Sequence, residues 1–255
     1  MRSFFNSREG DAGPVTEPVP TVFPVIEGAD VASVFVGKRM AGDFYDSIRV
    51  SPERVLIGLL DVAGRREDNR QILALAQTTF RTVGTEIFSA PDINEADAMT
   101  ELSLRINRAL IENTKKVLSC PAFVACYHEK FGTLCYTNAG HTSALLRDTT
   151  GISELGSTGL PLGLFSHATA EARIVAMEKG SALLLVSKGV VTCEGRNSHS
   201  SEEFGLDHVR DFLKGAASAD TAEMLCKGVL AAVADFSEGA PVCDDRTALA
   251  LLRKA

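Results

Sequence analysis

The stretch DFYDSIRVSPERVLIGLLD, residues 43–61, decides the fold class of this 255-residue chain. Two strand-like runs, Asp43 to Val50 and Val55 to Asp61, flank the turn Ser51-Pro52-Glu53-Arg54, and that spacing predicts a β-hairpin. A further strand-like run, Val31 to Gly37, precedes it. Residues 1–29 are rich in Gly, Pro and charge. Pro14, Pro18, Pro20 and Pro24 are too closely spaced for a helix there. They read as a loosely structured N-terminal arm, with residues 30–255 as one domain.

Past Gly64 the period changes. Ile72, Leu75, Ala76, Thr79, Phe80, Val83 and Ile87 recur at intervals of three and four, which predicts a helix over residues 68–89. Pro91 closes it, and Asp92 or Asn94 can cap a second helix carrying Met99, Leu102, Ile106 and Leu110. Strands are then expected at 122–129, 131–137, 143–147, 171–176 and 182–187, with a glycine-punctuated loop at 156–165 between them. Two short helices follow, near 206–214 and 221–233, and a closing strand at 246–252. Strands lie together rather than alternating one-for-one with helices, which argues for α+β and against a doubly wound parallel sheet.

Composition narrows the function. Lys and Arg number 26 against 33 Asp and Glu, for a net charge of −7. With no basic cluster, the chain has no footprint for nucleic acid. Its apolar runs are too short to span a bilayer, and Glu9 and Asp11 stand where a signal peptide needs its apolar stretch. A cytoplasmic location, away from membranes, is therefore expected. The six cysteines show no CxxC spacing and read as small buried hydrophobes rather than metal or redox sites.

The aspartates carry the chemistry. Asp43 and Asp46 lie in GDFYD, Asp61 ends a buried-looking strand in LLDVAG, and Asp244 and Asp245 precede the last strand in CDDRT. Carboxylates gathered at strand ends repel one another and need a cation to stay charged. All-oxygen clusters suit Mg²⁺ or Mn²⁺, and paired ions about 4 Å apart hydrolyse phosphate esters. Taken singly, each aspartate reads equally well as a cap or turn residue.

Six blocks in order, AGDFYD (41–46), DVAG (61–64), NAGHT (138–142), GLPLGL (159–164), EEFG (202–205) and DDRT (244–247), resemble the bacterial PP2C-type (PPM) metal-dependent protein serine/threonine phosphatases, the branch of the sporulation and stress-response enzymes. The resemblance runs over roughly residues 25–252. It implies a four-layer α-β-β-α sandwich of two antiparallel sheets flanked by helices, with a two-ion Mg²⁺ or Mn²⁺ centre at one end. It implies that Asp61 bridges both ions and that the Val62 carbonyl helps hold one. Asp46 acts directly or through water, and Asp244 holds the ion on the other side. Asp43 and Asp245 are accessory. A metal-activated water then attacks phosphorus, with no protein nucleophile.

The chain departs from that pattern where the family's Thr-Asp-Gly supplies a ligand: here the residues are Ser187-Lys188-Gly189. An ammonium cannot ligate Mg²⁺. Lys188 is expected to bridge Asp61 and Asp244 and weaken the metal site, unless it points outward from a turn. Arg65 and Arg66 replace a His-Gly pair and offer either a phosphate contact or a solvated charge pair. The resulting expectation is hydrolysis of phosphoserine or phosphothreonine in a regulatory protein such as an anti-sigma-factor antagonist, weakened by Lys188. The alternative is a catalytically degenerate pseudophosphatase that binds a phosphoprotein or switches partners. A structural module with no phosphate role fits the retained aspartates least.

Overall fold

The computed structural model describes residues 17–37, 42–62, 66–113, 119–168, 170–195, 202–217, 219–238, 242 and 244–254, the side chains of residues 66–68 excepted. The hairpin of β2 (Gly42–Ser51) and β3 (Arg54–Val62) forms as the sequence implies, antiparallel, with Asp43 directly opposite Asp61. It extends through β4 (Ala122–His128), β5 (Thr133–Ala139) and β8 (Arg173–Ala176) into one five-stranded sheet. The second sheet runs in the order β1 (Ala29–Val36), β10 (Arg246–Arg253), β9 (Ala182–Val186), β6 (Ala144–Arg147) and β7 (Ile152–Leu155). Every strand pairing in both sheets is antiparallel.

Alternation along the strands builds three apolar layers. Odd-numbered Val55, Ile57 and Leu59 of β3 meet Leu183 and Leu185 of β9 and Leu249 and Leu251 of β10 between the sheets. Even-numbered Leu56, Leu60 and Val62 face α1 (Arg66–Phe88) and α2 (Glu95–Asn113), where Leu73, Phe80, Leu102 and Ile106 pack. On the far side Leu184, Val186, Ala248 and Ala250 lie under α4 (Gly205–Gly215) and α5 (Ala222–Phe236). The result is the α-β-β-α sandwich. Asn94 caps α2, its Oδ1 accepting from Ala96 N at 3.1 Å and Asp97 N at 3.3 Å.

Two elements go beyond the sequence reading. β7 was not expected, and Ser187 is followed by a single helical turn, α3 (Lys188–Val191). β8 and β9, close in sequence, belong to opposite sheets. Of the N-terminal arm, residues 17–29 are described, and Ala29 already belongs to β1. Here the Val19 backbone pairs with the Gln77 side-chain amide of α1 through both N–H and C=O, and Thr21 Oγ1 donates to Tyr45 O.

Candidate functional site

Alternation in β2 and β3 turns Asp43 and Asp61 toward the space between the sheets, at the end where β2 begins and β3 finishes. Thr247 of β10 reaches the same space: its Oγ1 donates to Asp43 Oδ2 at 2.7 Å. Ser187, fully buried at the end of β9, is bonded to Thr247 twice, its Oγ accepting from Thr247 N and its N–H donating to Thr247 O. Asp244 stands at the rim, exposed, with Oδ1 accepting from Asp245 N at 2.8 Å. Gly189 is what allows β9 and β10 to close here, since a Cβ at that position would lie 2.2 Å from Asp245 O. This contact places residue 188 next to Asp244.

The electrostatics are those of carboxyls held together without enough positive charge. Burial pushes Asp43 up to about 7, with Asp61 and Asp244 adding to the rise and the Ser187 and Thr247 hydroxyls opposing it. Asp61 is raised too, by burial first and then by Asp244, and the Lys188 ammonium pulls it back. Lys188 is exposed and forms no ion pair with Asp61 or Asp244. Its charge acts through space rather than as the bridge expected from sequence.

Asp46 is not brought to this group. It lies on the opposite face of β2, three residues or about 10 Å along the strand from Asp43. It is buried there, held bidentately by Arg81 of α1, Nε to Oδ2 at 2.7 Å and Nη2 to Oδ1 at 2.8 Å. Thr21 Oγ1 adds a third bond at 3.1 Å. The Val62 carbonyl lies against Gly42, whose Cβ would sit 2.0 Å away, and accepts from Asn69 Nδ2 at 3.4 Å. Asp245 is buried beneath the site. Arg65 and the Arg66 side chain lie outside the described residues.

Asp43, given an accessory role from sequence, thus stands at the centre of the group. Ser187, Thr247 and Arg81 were missed as site or support residues. Ser187 and Thr247 sat inside quoted blocks. Arg81 gave no signal, since its partner is 35 residues away.

The chain matches the family model of Stage II sporulation protein E (SpoIIE) over residues 51–254. It belongs to the SpoIIE family. Solved structures that share its fold, that of the PP2C/PPM phosphatases, include the following three. The RsbU and RsbW domains of Rv1364c from Mycobacterium tuberculosis match with a TM-score of 0.73 at 22% identity, over 91% of this chain and 62% of that one. The SiaA PP2C domain of Pseudomonas aeruginosa matches at 0.73 and 19%, over 88% and 86%. The PP2C phosphatase domain of Bacillus subtilis SpoIIE, with a fragment of its regulatory domain, matches at 0.70 and 13%, over 89% and 64%. The chain therefore spans less than two thirds of the first and third of these proteins. No curated protein sequence matches significantly. No helix among the described residues is long and apolar enough to cross a membrane.

Membership in the SpoIIE family supports a hydrolase role in general terms and implies a divalent metal. The donor set here does not fit a two-ion centre. Among the described residues no three His, Cys, Asp or Glu side chains gather closely enough to hold a metal. One expected ligand position carries the Lys188 ammonium, whose charge opposes a cation beside Asp61.

Proposed function

We propose that this SpoIIE-family chain recognises a regulatory protein bearing phosphoserine or phosphothreonine and acts chiefly by binding it or switching its partners, with hydrolysis suppressed. The observation that carries this reading is Lys188. It occupies the position of an expected ligand carboxylate, beside Asp61 and Asp244, and its charge already partly offsets Asp61. A dication placed there would meet a fixed like charge at a site one carboxylate short. A phosphate monoester, in contrast, is attracted by that exposed ammonium, against the repulsion of Asp61 and Asp244 behind it. The partner-switching context is favoured by the fold likeness to proteins named for RsbU, RsbW and SpoIIE. An anti-sigma-factor antagonist is the class of partner this implies, and a cytoplasmic setting goes with it.

The test sets a phosphoserine peptide and its unphosphorylated counterpart against the protein, with binding and phosphate release read in parallel. Phosphate-dependent binding without release supports the proposal, and release at a rate that follows Mn²⁺ contradicts it. A second reading, weak Mg²⁺- or Mn²⁺-dependent hydrolysis, is favoured by the retained Asp43, Asp61 and Asp244, whose oxygens are hard donors.

A further inference from the structure

Arg246 opens β10 just after the Asp244-Asp245 pair, but its side chain leaves on the other face. Ala248 and Ala250 of the same strand pack under α4 and α5, and alternation sends Arg246 to that side as well. It is only 6% exposed. Its Nη2 donates to Cys193 Sγ at 3.1 Å, a weak acceptor, and its Nε is buried without any acceptor. No carboxylate among the described residues forms an ion pair with it. A buried guanidinium paired only with a thiol is poorly compensated.

The same side chain lines a groove of about 400 Å³ between β1 and α5, walled by Val34, Val36, Leu230, Ala231 and Ala234. That volume is within the range of small-molecule sites. β1 is the edge strand of its sheet. Lys227, also at the groove, already has an anionic partner, Glu223, at 2.6 Å.

We propose that this groove binds a small organic carboxylate with an apolar tail, the carboxylate compensating Arg246 and the tail lying between β1 and α5. The head group follows from charge complementarity, because Arg246 is the one cation in the groove without an anionic partner among the described residues. A carboxylate is preferred over a phosphate because the other donors at the groove are already engaged, the Ser237 hydroxyl by Ala234 O and the Lys227 ammonium by Glu223, and the Val, Leu and Ala walls add none for further oxygens. The same walls select an apolar tail. This inference is independent of the reading of Lys188.

The probe is octanoate, titrated into the full chain and followed by calorimetry and by Tm. The expected result is saturable one-site binding and a Tm that rises with octanoate. Octanol should bind far more weakly, and inorganic phosphate should not compete. Arg246→Gln should weaken octanoate about tenfold, the worth of a charge-assisted contact. Ala234→Phe, which fills the groove at an exposed helix position and leaves Arg246 intact, should abolish binding, and it carries the test if Arg246→Gln does not fold. Absence of saturable binding, equal binding of octanol, competition by phosphate, or affinity unchanged in both variants would overturn the proposal.

Discussion

Beside Asp61, an ammonium and a carboxylate have opposite consequences. A carboxylate would deepen the negative potential until a cation entered, whereas Lys188 relieves part of it directly. Asp46 shows a different solution to the same problem, with a bidentate guanidinium and a hydroxyl satisfying a fully buried carboxylate. Arg81→Ala should therefore destabilise the protein by about 3 kcal/mol by leaving that charge unpaired, and adding Asp46→Asn should recover part of the loss. A urea double-mutant cycle with no coupling would contradict this assignment. His141 is buried, with Nδ1 near Thr142 O and Nε2 unpartnered, and burial lowers its pKa from 6.5 to about 4. The unfolded chain binds the proton first, so stability falls as pH drops from about 6.5 to 4. Asp43 works in the other direction: its raised pKa makes stability fall as pH rises from about 4 to 7. Comparing wild type with His141→Gln isolates the histidine. Between pH 7 and 5 the wild type should lose about 2 kcal/mol relative to the variant, and parallel pH profiles would contradict the buried neutral imidazole.

Secondary-structure elements meet at the site through close backbone approaches, and these have the sharpest mutational signature. Gly189→Ala would drive a Cβ to 2.2 Å from Asp245 O, forcing β9 and β10 apart where Ser187 and Thr247 are bonded. It should lower Tm by several degrees, whereas Gly215→Ala, with nothing within 4 Å of its added Cβ, should be nearly neutral. Equal effects would remove the close contact from the account. The β2–β3 hairpin and helices α1 and α2 were legible in the sequence because each spans enough residues to show its period and carries a turn or cap signal. β7 and α3 are four residues each, too short to display a period. The separation of β8 from β9 is not written locally: Met177 N bonds to Gly132 O, still with the first sheet, before the chain crosses to the second. Which sheet a strand joins depends on partners far away in sequence.

For the whole molecule, stacking two sheets brings the ends of β2, β3, β9 and β10 together and gathers there Asp43, Asp61 and Asp244, while Asp46 is left on the helix-facing side. The blocks made the architecture legible, along with Asp43, Asp61, Asp244 and Lys188 as residues of interest. They did not distinguish Asp43 from Asp46. That distinction is a matter of strand parity: the odd residue faces Thr247 between the sheets, and the even one faces Arg81 on α1. For Lys188 the sequence offered a bridge to Asp61 and Asp244 or an outward position, and choosing between them needs α3, in which Gly189 and Val190 are buried and Lys188 is left exposed. The central claim, that one ammonium has replaced a ligand and silenced the metal chemistry of an otherwise intact scaffold, is tested most directly by Mn²⁺-dependent hydrolysis of p-nitrophenyl phosphate, wild type beside Lys188→Asp. The account predicts a wild-type rate that stays flat as Mn²⁺ is raised and a variant rate that climbs with it; a wild-type rate that climbs with Mn²⁺ as steeply as the variant's would contradict it.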